Sequence, residues 1–219
     1  MPWVFYTISV DVRRAFLVSL AALLLWVRPA AAANTRVLVR YGDSITAGLG
    51  LDESQAYPAF LQRDLDAAGY HYQVLNRGTS GATTGDAVAG LPTILALHPS
   101  VVVVEFGGND GLRGLPLDTT RRNLDRVIGT LEAAHIRVLL AGITLPPNYG
   151  PDYIRSFQQL FRKLAAAHPH AAFVPMIYKD LVHLPGTIQP DGIHPTAKGA
   201  VIVADTIWPE LRPLLRKSK

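Results

Sequence analysis

The chain has 219 residues, of which 49% are hydrophobic, 8% aromatic and 17% charged, and this composition excludes an intrinsically disordered protein. The length is sufficient for one α/β domain and short for two. A net charge of +4 is too small to indicate a nucleic-acid partner, and the absence of cysteine excludes a thiol nucleophile and a thiolate metal site.

Residues 1–33 have the pattern of a secretory signal peptide. Arg13 and Arg14 precede a 13-residue apolar run over 15–27, and the alanines at 30–33 supply a small-residue cleavage site. The run is shorter than the roughly 20 apolar residues of a membrane span. The sequence therefore predicts cleavage near Ala33, export to the periplasm or the medium, and a mature domain of residues 34–219. Cleavage removes three arginines and one aspartate, which lowers the net charge from +4 to +2.

Strand-like and helix-like patterns alternate along the rest of the chain. Strands are predicted over 35–41, 72–75, 101–106, 137–143 and 172–174, and helices over 57–68, 86–97, 119–134, 153–166 and 195–211. The alternation predicts an α/β fold with a parallel sheet covered by helices on both faces, and the β-branched run at 101–104 favours the sheet centre. Pro195 is expected at the first position of the last helix, and Pro209 is expected to end or kink it. Ligands of such sheets bind outside the carboxyl ends of the strands.

The first strand ends in Gly42-Asp43-Ser44. A glycine that allows a sharp backbone turn exposes the serine at the sheet edge, and leaves the serine N–H free for a developing oxyanion. An Asp-Ser pair before a helix is also a common cap. The sequence alone leaves both interpretations open.

The second and third strands end in glycine-rich segments that contain Gly81 and Asn109. Gly81 is expected to present a backbone N–H to the same oxyanion, where a side chain would obstruct the substrate. Asn109 is expected to aim its side-chain NH₂ at the developing negative charge. Turn glycines and an Asx cap are the structural alternatives for these two segments.

The segment before the last helix contains Asp191 and His194, three residues apart in a turn. This spacing allows Asp191 to accept a hydrogen bond from one imidazole nitrogen while the other nitrogen faces Ser44, as in a serine-hydrolase triad. The structural alternative is a loop cap beside a surface histidine. His168 and His170 flank a proline without an acidic ligand motif, so no metal site is predicted.

In this order, the four segments resemble the four blocks of the SGNH (GDSL) hydrolase family. Ser44, Gly81, Asn109 and His194 match the four residues behind that name, and the resemblance covers residues 36–211. The chain looks most like the bacterial multifunctional acyl thioesterase, lysophospholipase and arylesterase group, because segments 105–114 and 145–150 are similar to that group's loops.

The resemblance implies a three-layer α/β/α sandwich with a central five-stranded parallel sheet, flavodoxin-like in topology. It implies a triad of Ser44, Asp191 and His194. The implied oxyanion hole comprises the N–H groups of Ser44 and Gly81 and the side chain of Asn109. No metal or organic cofactor is implied.

The implied substrate is a small acyl ester, a thioester or a lysophospholipid with a single acyl chain. The residues expected to contact it are Asp43, Asp110, Leu112, Leu115, Pro146, Pro147 and Tyr149. Loop packing is the alternative for the apolar members. The chain departs from the family pattern at Thr46, where serine is commoner, and at Arg77-Gly78, and both departures are expected to affect only the pocket wall.

Two other functions are compatible with the same residues. A carbohydrate O-acetylesterase on this fold would have a short polar acyl pocket, and a non-catalytic binding module would not react with a fluorophosphonate. The expected protein is a monomer that does not bind nucleic acid. A basic tail of Arg212, Arg216, Lys217 and Lys219 allows transient contact with an anionic membrane surface, although cations that solvate a helix end explain it equally.

Overall fold

The computed structural model describes residues 1–3, 35–181 and 183–217. Apart from its first three residues, the predicted signal peptide lies outside the described residues. In the part of the chain that the structure describes, no helix combines the length and the apolar character needed to cross a bilayer.

The core of the fold is a five-stranded, wholly parallel sheet with the strand order β2-β1-β3-β4-β5. The strands are β1 (Arg36–Gly42), β2 (Tyr72–Gly78), β3 (Val101–Glu105), β4 (Arg137–Ala141) and β5 (Ala172–Val174). The predicted central strand is confirmed: Val102 lies opposite Val39 of β1 and Val138 of β4. All three valines are buried, as expected for a strand covered on both faces.

Helices cover both faces of the sheet, which confirms the predicted three-layer architecture. They are α1 (Ser44–Ala47), α2 (Tyr57–Ala67), α3 (Thr84–Leu95), α4 (Gly108–Leu112), α5 (Leu117–Ala133), α6 (Pro151–Ala167) and α7 (Ala197–Leu211). Helices α2 and α7 pack together, and α5 packs between α3 and α6. Helix α5 buries Leu124, Val127, Ile128 and Leu131, the helical spacing of one apolar face.

The last helix begins two residues later than predicted and ends at Leu211, as predicted. Helix α7 begins at Ala197, and Thr196 caps it by accepting a hydrogen bond from the Gly199 N–H. Pro195 lies before this cap and forms an isolated antiparallel bridge with Ile188, so its predicted place as the first helical residue is wrong. The helix also continues through Pro209 to Leu211.

The parallel topology brings the chemically informative segments to one edge of the sheet. Asp43 and Ser44 follow β1, Gly81 lies between β2 and α3, and Asn109 lies just after β3. The segment with His194 follows β5, the edge strand. Since the carboxyl ends of all parallel strands meet at one edge, four distant parts of the sequence converge there.

Candidate active site

Ser44 is the first residue of the short helix α1, directly after β1. The Asp43 side chain caps this helix, because its Oδ1 accepts a hydrogen bond from the Ile45 N–H at 3.0 Å. A Cβ at Gly42 would lie 2.1 Å from Thr46 Oγ1. The glycine is therefore required by close packing of α1 on the strand end, rather than by the sharp turn that the sequence suggested.

The side chains of Ser44, His194 and Asp191 form one continuous hydrogen-bonded chain. Ser44 Oγ lies 2.8 Å from His194 Nε2, and His194 Nδ1 lies 2.6 Å from Asp191 Oδ2. The other oxygen, Asp191 Oδ1, accepts the backbone N–H groups of Ile193 and His194 at 2.9 and 3.0 Å. The three residues singled out in the sequence are thus in the relative geometry of a nucleophile, a base and its orienting acid.

The environment of Asp191 favours its charged form. Partial burial raises the pKa of this carboxyl group, but hydrogen bonds from His194 and from two backbone N–H groups outweigh burial. The net result is a pKa below the usual aspartate value. Asp191 therefore remains ionised and can stabilise positive charge on the imidazole.

Two residues that the sequence did not single out hold the His194 turn in place. The Gln189 N–H donates to the His194 carbonyl at 2.7 Å, and Gln189 Nε2 donates to the carbonyls of Leu49 and Pro195 at 2.8 Å. The Tyr178 hydroxyl donates to the Ile193 carbonyl at 2.9 Å. The turn is thereby tied to the loop that follows Ser44.

Asn109 lies beside the same pocket as Ser44 and His194. Its Nδ2 donates to the Ala82 carbonyl at 2.9 Å and approaches Asp43 Oδ2 at 3.4 Å. In the structure these two acceptors set the orientation of the side-chain amide at the edge of the pocket.

Gly81 has a φ of +81°, a conformation that favours glycine. Within the described residues its N–H has no hydrogen-bond acceptor. Gly81 lines a neighbouring cavity of about 690 Å³ that contains none of the residues of the Ser44 pocket. Arg77 and Gly78 line this cavity too, so their departure from the family pattern affects its wall.

The site consists of a narrow pocket that adjoins a larger apolar cavity. The pocket at Ser44 has a volume of about 70 Å³, and the adjoining cavity has about 330 Å³. The residues shared by both linings are Thr144, Leu145, Pro146, Tyr178 and Ile193. The cavity adds Pro147, Ile154 and Ile188 to its wall, which makes its surface predominantly hydrocarbon.

Four of the seven residues expected to contact substrate lie in these linings. Asp43, Leu112 and Pro146 line the pocket, and Pro147 lines the apolar cavity. Ile193 also lies in both linings, and no motif of the sequence singled it out.

The other three expected contacts lie elsewhere. Asp110 is 1% exposed, and its carboxylate accepts hydrogen bonds from the N–H and hydroxyl of Thr84 and from the Thr120 hydroxyl. Tyr149 donates its hydroxyl to the Leu112 carbonyl, and Leu115 is exposed to solvent. Asp110 and Tyr149 therefore support the loops of the site, and none of these three residues lies in either lining.

A buried polar network extends from Asp43 into the core. Arg40 Nη2 donates to the Tyr57 hydroxyl, the Tyr57 hydroxyl lies 2.7 Å from Thr46 Oγ1, and Thr46 Oγ1 donates to Glu105 Oε2 at 2.8 Å. The Asp43 N–H donates to the Glu105 carbonyl at 3.2 Å. Thr46 is fully buried and lines neither cavity, so its departure from the family pattern affects this network and not the pocket wall.

Burial dominates the electrostatics of this network. It raises the pKa of Asp43 to about 6 and, together with the charge of Asp43, holds the pKa of Glu105 well above its usual value. Burial also lowers the pKa of Arg40. Glu105 had a signal in the sequence, because it is a lone charged residue at the end of an otherwise apolar strand.

Within the described ranges, the structure contains no group of three or more His, Asp or Glu side chains placed to hold a metal ion. His168 contacts Glu132 at 2.8 Å and Asp125 at 3.2 Å, two carboxylates of helix α5.

Comparison with known proteins identifies the family of the chain. Esterase TesA of Pseudomonas aeruginosa is 42% identical over 203 residues, which cover 92% of this chain and 100% of that protein. Thioesterase 1/protease 1/lysophospholipase L1 of Escherichia coli strain K12 is 36% identical over 187 residues, 85% of this chain and 87% of that protein. A crystal structure of TesA matches with a TM-score of 0.79 and 42% identity, over 82% of this chain and 100% of that one. The GDSL-like lipase/acylhydrolase profile matches residues 41–202, and the chain is therefore a hydrolase that belongs to this family.

Proposed function

We propose that the protein is an exported serine esterase that hydrolyses esters and thioesters of a single acyl chain through an acyl-enzyme on Ser44. One observation carries the proposal: the hydrogen-bonded chain from Ser44 through His194 to Asp191 ends at a narrow pocket next to an apolar cavity. The pocket provides reactive groups, and the cavity provides a surface for hydrocarbon.

The geometry supports a two-step acyl transfer. His194 Nε2 removes the Ser44 proton as Oγ attacks the acyl carbonyl, and the resulting imidazolium is stabilised by ionised Asp191. His194 then protonates the leaving alcohol or thiol, which leaves the acyl group on Ser44. In the second step water attacks this acyl-enzyme with His194 again as base, and the serine is regenerated with release of the carboxylic acid.

Three donors are proposed for the oxyanion of each tetrahedral intermediate. The Ser44 N–H is the first of helix α1 and has no acceptor within that helix. The Gly81 N–H is likewise without an acceptor among the described residues. The Asn109 side chain completes the set, and preorganised donors of this kind stabilise the transition state more than the ground state.

Substitution of Asn109 by alanine tests the third donor. We expect kcat to fall by about 10²- to 10³-fold, as for the loss of one oxyanion donor in other hydrolases, with a much smaller change in KM. Steady-state hydrolysis of p-nitrophenyl octanoate measures both constants. Asn148→Ala, which removes an exposed amide from the loop over the site, is the matched control. An unchanged kcat in Asn109→Ala would remove Asn109 from the oxyanion hole.

The size of the apolar cavity favours one medium or long acyl chain. Its volume of about 330 Å³ is at the lower end of the roughly 300–1,000 Å³ typical of ligand pockets. One hydrocarbon chain fits such a space, whereas a triglyceride with three chains exceeds it. Simple esters, thioesters and lysophospholipids all contain a single acyl chain next to a reactive carbonyl, which is the feature that this site would recognise.

Hydrolysis of p-nitrophenyl acetate, octanoate and palmitate by the mature protein tests the proposed function. Activity that peaks at octanoate or longer is the expected result, and a fluorophosphonate is expected to label Ser44. Activity confined to acetate would instead favour a carbohydrate O-acetylesterase. No hydrolysis of any ester, with no labelling, would contradict an esterase function altogether.

Ile154→Trp tests where the acyl chain binds. Ile154 of helix α6 lines the apolar cavity, and the larger ring would occupy the space of two or three methylene groups. At about 0.8 kcal/mol per buried methylene, kcat/KM for octanoate should fall roughly 10- to 50-fold while that for acetate stays within about twofold. Ile202→Trp on α7, which lines neither cavity, controls for the added ring. Equal losses on both esters would place the chain elsewhere.

The remaining expectations are proposals based on the sequence. Export rests on the pattern of residues 1–33, and a monomer that binds small molecules rests on the family resemblance. Transient contact with an anionic membrane rests on the basic tail, in which Lys217 lies 5.5 Å from the ring centroid of Tyr70 and the Arg216 carbonyl accepts from Arg36. Sedimentation of the mature protein with anionic vesicles at low salt measures that contact.

A further inference from the structure

The hydrogen bonds of the buried network all point in one direction. A guanidinium group can only donate, so the Tyr57 oxygen accepts from Arg40. Tyr57 therefore has its own proton available for Thr46 Oγ1, and the Thr46 hydroxyl in turn donates to Glu105 Oε2. Each hydroxyl accepts from one side and donates to the other, which fixes Glu105 Oε2 as an acceptor.

The second oxygen of Glu105, Oε1, does not accept a hydrogen bond from any of these groups. Glu105 is 0% exposed, and in the part of the chain that the structure describes no N–H or O–H group reaches its Oε1. A side-chain hydrogen bond links Glu105 to the neighbouring carboxyl group of Asp43, and Thr46 and Arg40 act on Glu105 as well. Two buried carboxylates side by side cannot both be charged, and one proton between them turns repulsion into a hydrogen bond.

Asp43 is the member of this pair that reaches the reacting groups. Its Oδ1 caps the helix that begins at Ser44, and its Oδ2 faces the Asn109 amide. A carboxylate accepts both bonds more strongly than a carboxylic acid does, so we assign the charge to Asp43 and the proton to Glu105. The raised pKa of both groups, caused first by burial, agrees with one shared proton near neutral pH.

We propose that Glu105 is a positioning residue that remains protonated and donates a hydrogen bond from Oε1 to Asp43, so that Asp43 holds Asn109 and the Ser44 turn in their reactive orientation. The proposal concerns the chemistry of the proposed esterase site and rests on that function. Glu105 itself contacts no substrate, because it lines neither the Ser44 pocket nor the apolar cavity.

The charged and titratable groups around the pair set its response to pH. Arg40 faces Glu105 through Tyr57, and Tyr178 lies near both carboxyl groups. On the solvent side, His194 and Asp110 act on Asp43 with opposite signs. Removal of the shared proton places two negative charges together, which displaces Asp43 from Asn109. We therefore expect kcat to fall at alkaline pH with little change in KM, since the acyl chain binds in a separate cavity.

The variant Glu105→Gln distinguishes between a protonated and a charged Glu105. The glutamine amide reproduces the protonated acid, because its Nε2 donates to Asp43 and its Oε1 accepts from Thr46. We expect Glu105→Gln to retain kcat within about threefold at pH 7 and to lose the alkaline decline. Glu105→Leu leaves Asp43 without its donor, and we expect a 10- to 100-fold lower kcat at all pH values with KM within about threefold, an effect comparable to loss of one buried charge-assisted hydrogen bond.

The matched control is Glu132→Gln, the same chemical change at a partly buried glutamate that contacts His168 on α5. Its kcat and its alkaline decline should equal those of the unmodified protein. If Glu105→Gln is as impaired as Glu105→Leu, or keeps the alkaline decline, the proposal is overturned. If Glu105→Leu does not fold, the comparison between Glu105→Gln and the unmodified protein decides alone.

A measurement without catalysis distinguishes failure of this proposal from failure of the esterase function. In the unfolded chain Glu105 ionises near its ordinary pKa of about 4.3, whereas in the folded chain it keeps its proton to higher pH. The folded state then binds more protons, so Glu105 makes stability fall as pH rises from about 4.3 through the folded pKa. Glu105→Gln should remove this loss, and its Tm relative to the unmodified protein should increase with pH over that interval. A constant Tm difference would contradict a protonated Glu105 whether or not esters are hydrolysed.

Discussion

Replacement of Ser44 by alanine should reduce ester hydrolysis by a factor on the order of 10⁵ to 10⁶, because loss of the nucleophile from a serine hydrolase removes nearly all of kcat. The substitution deletes one oxygen, which lies 2.8 Å from His194 Nε2. Helix α1 keeps its Asp43 cap, since that cap binds the Ile45 N–H and not the serine side chain. The folded structure and the apolar cavity should therefore be unaffected.

The measurement is hydrolysis of p-nitrophenyl octanoate together with labelling by a fluorophosphonate. Ser80→Ala is the matched control, because Ser80 is an exposed serine in the loop that also contains Gly81. We expect full activity and full labelling in Ser80→Ala, and neither in Ser44→Ala. Activity within tenfold of the unmodified protein in Ser44→Ala would mean that another group attacks the ester.

The sequence predicted the fold well because burial and periodicity are local signals. The valine run of β3 is apolar at every position, and such a strand is stable only where both sheet faces are covered. The same reasoning brought Ser44, Asn109 and His194 to one edge, since a parallel sheet aligns the carboxyl ends of its strands. Topology alone does not say which residues meet at this edge. The order of the motifs along the chain identified them.

The sequence did not reveal interactions whose partners are far apart along the chain. The family resemblance implied that Asp110 contacts the substrate, but its carboxylate accepts hydrogen bonds from Thr84 and Thr120 of two other helices. His168 likewise finds Glu132 on a neighbouring helix, 36 residues earlier in the chain. Which face of a short helix a polar side chain occupies depends on these partners, and no spacing rule reports them.

The buried network is a second feature that the sequence did not reveal, because its members are far apart along the chain. Arg40 in the middle of a buried strand violates the rule that charges avoid the core, and Glu105 violates it again in the adjacent strand. Each residue alone reads as an irregularity in an apolar pattern. Only the structure shows that Tyr57 and Thr46 connect them. The two charged residues that break the apolar pattern of their strands therefore lie in the region next to the nucleophile.

Asp191→Asn should have the second-largest effect, a decrease in kcat of roughly 10³- to 10⁴-fold. An asparagine amide donates where the carboxylate accepts, so it favours the imidazole tautomer whose Nε2 carries the proton and cannot take one from Ser44. Substitution of a buried triad aspartate costs about 10⁴-fold in kcat. The Asp191 side chain is 44% exposed, and water that reaches the imidazole offsets part of the loss.

The matched control for this substitution is Asp180→Asn, an exposed aspartate in the same connection between β5 and α7. Both variants are compared by kcat for p-nitrophenyl octanoate and by the rate of fluorophosphonate labelling. Because asparagine keeps a side-chain oxygen for the backbone N–H groups of Ile193 and His194, the turn should persist and KM should change little. Slow labelling of Ser44 in Asp191→Asn would show that the nucleophile is present but not activated. Normal labelling and normal kcat would instead mean that His194 is oriented by its backbone contacts alone, and Asp191 would then be only the cap of its own turn.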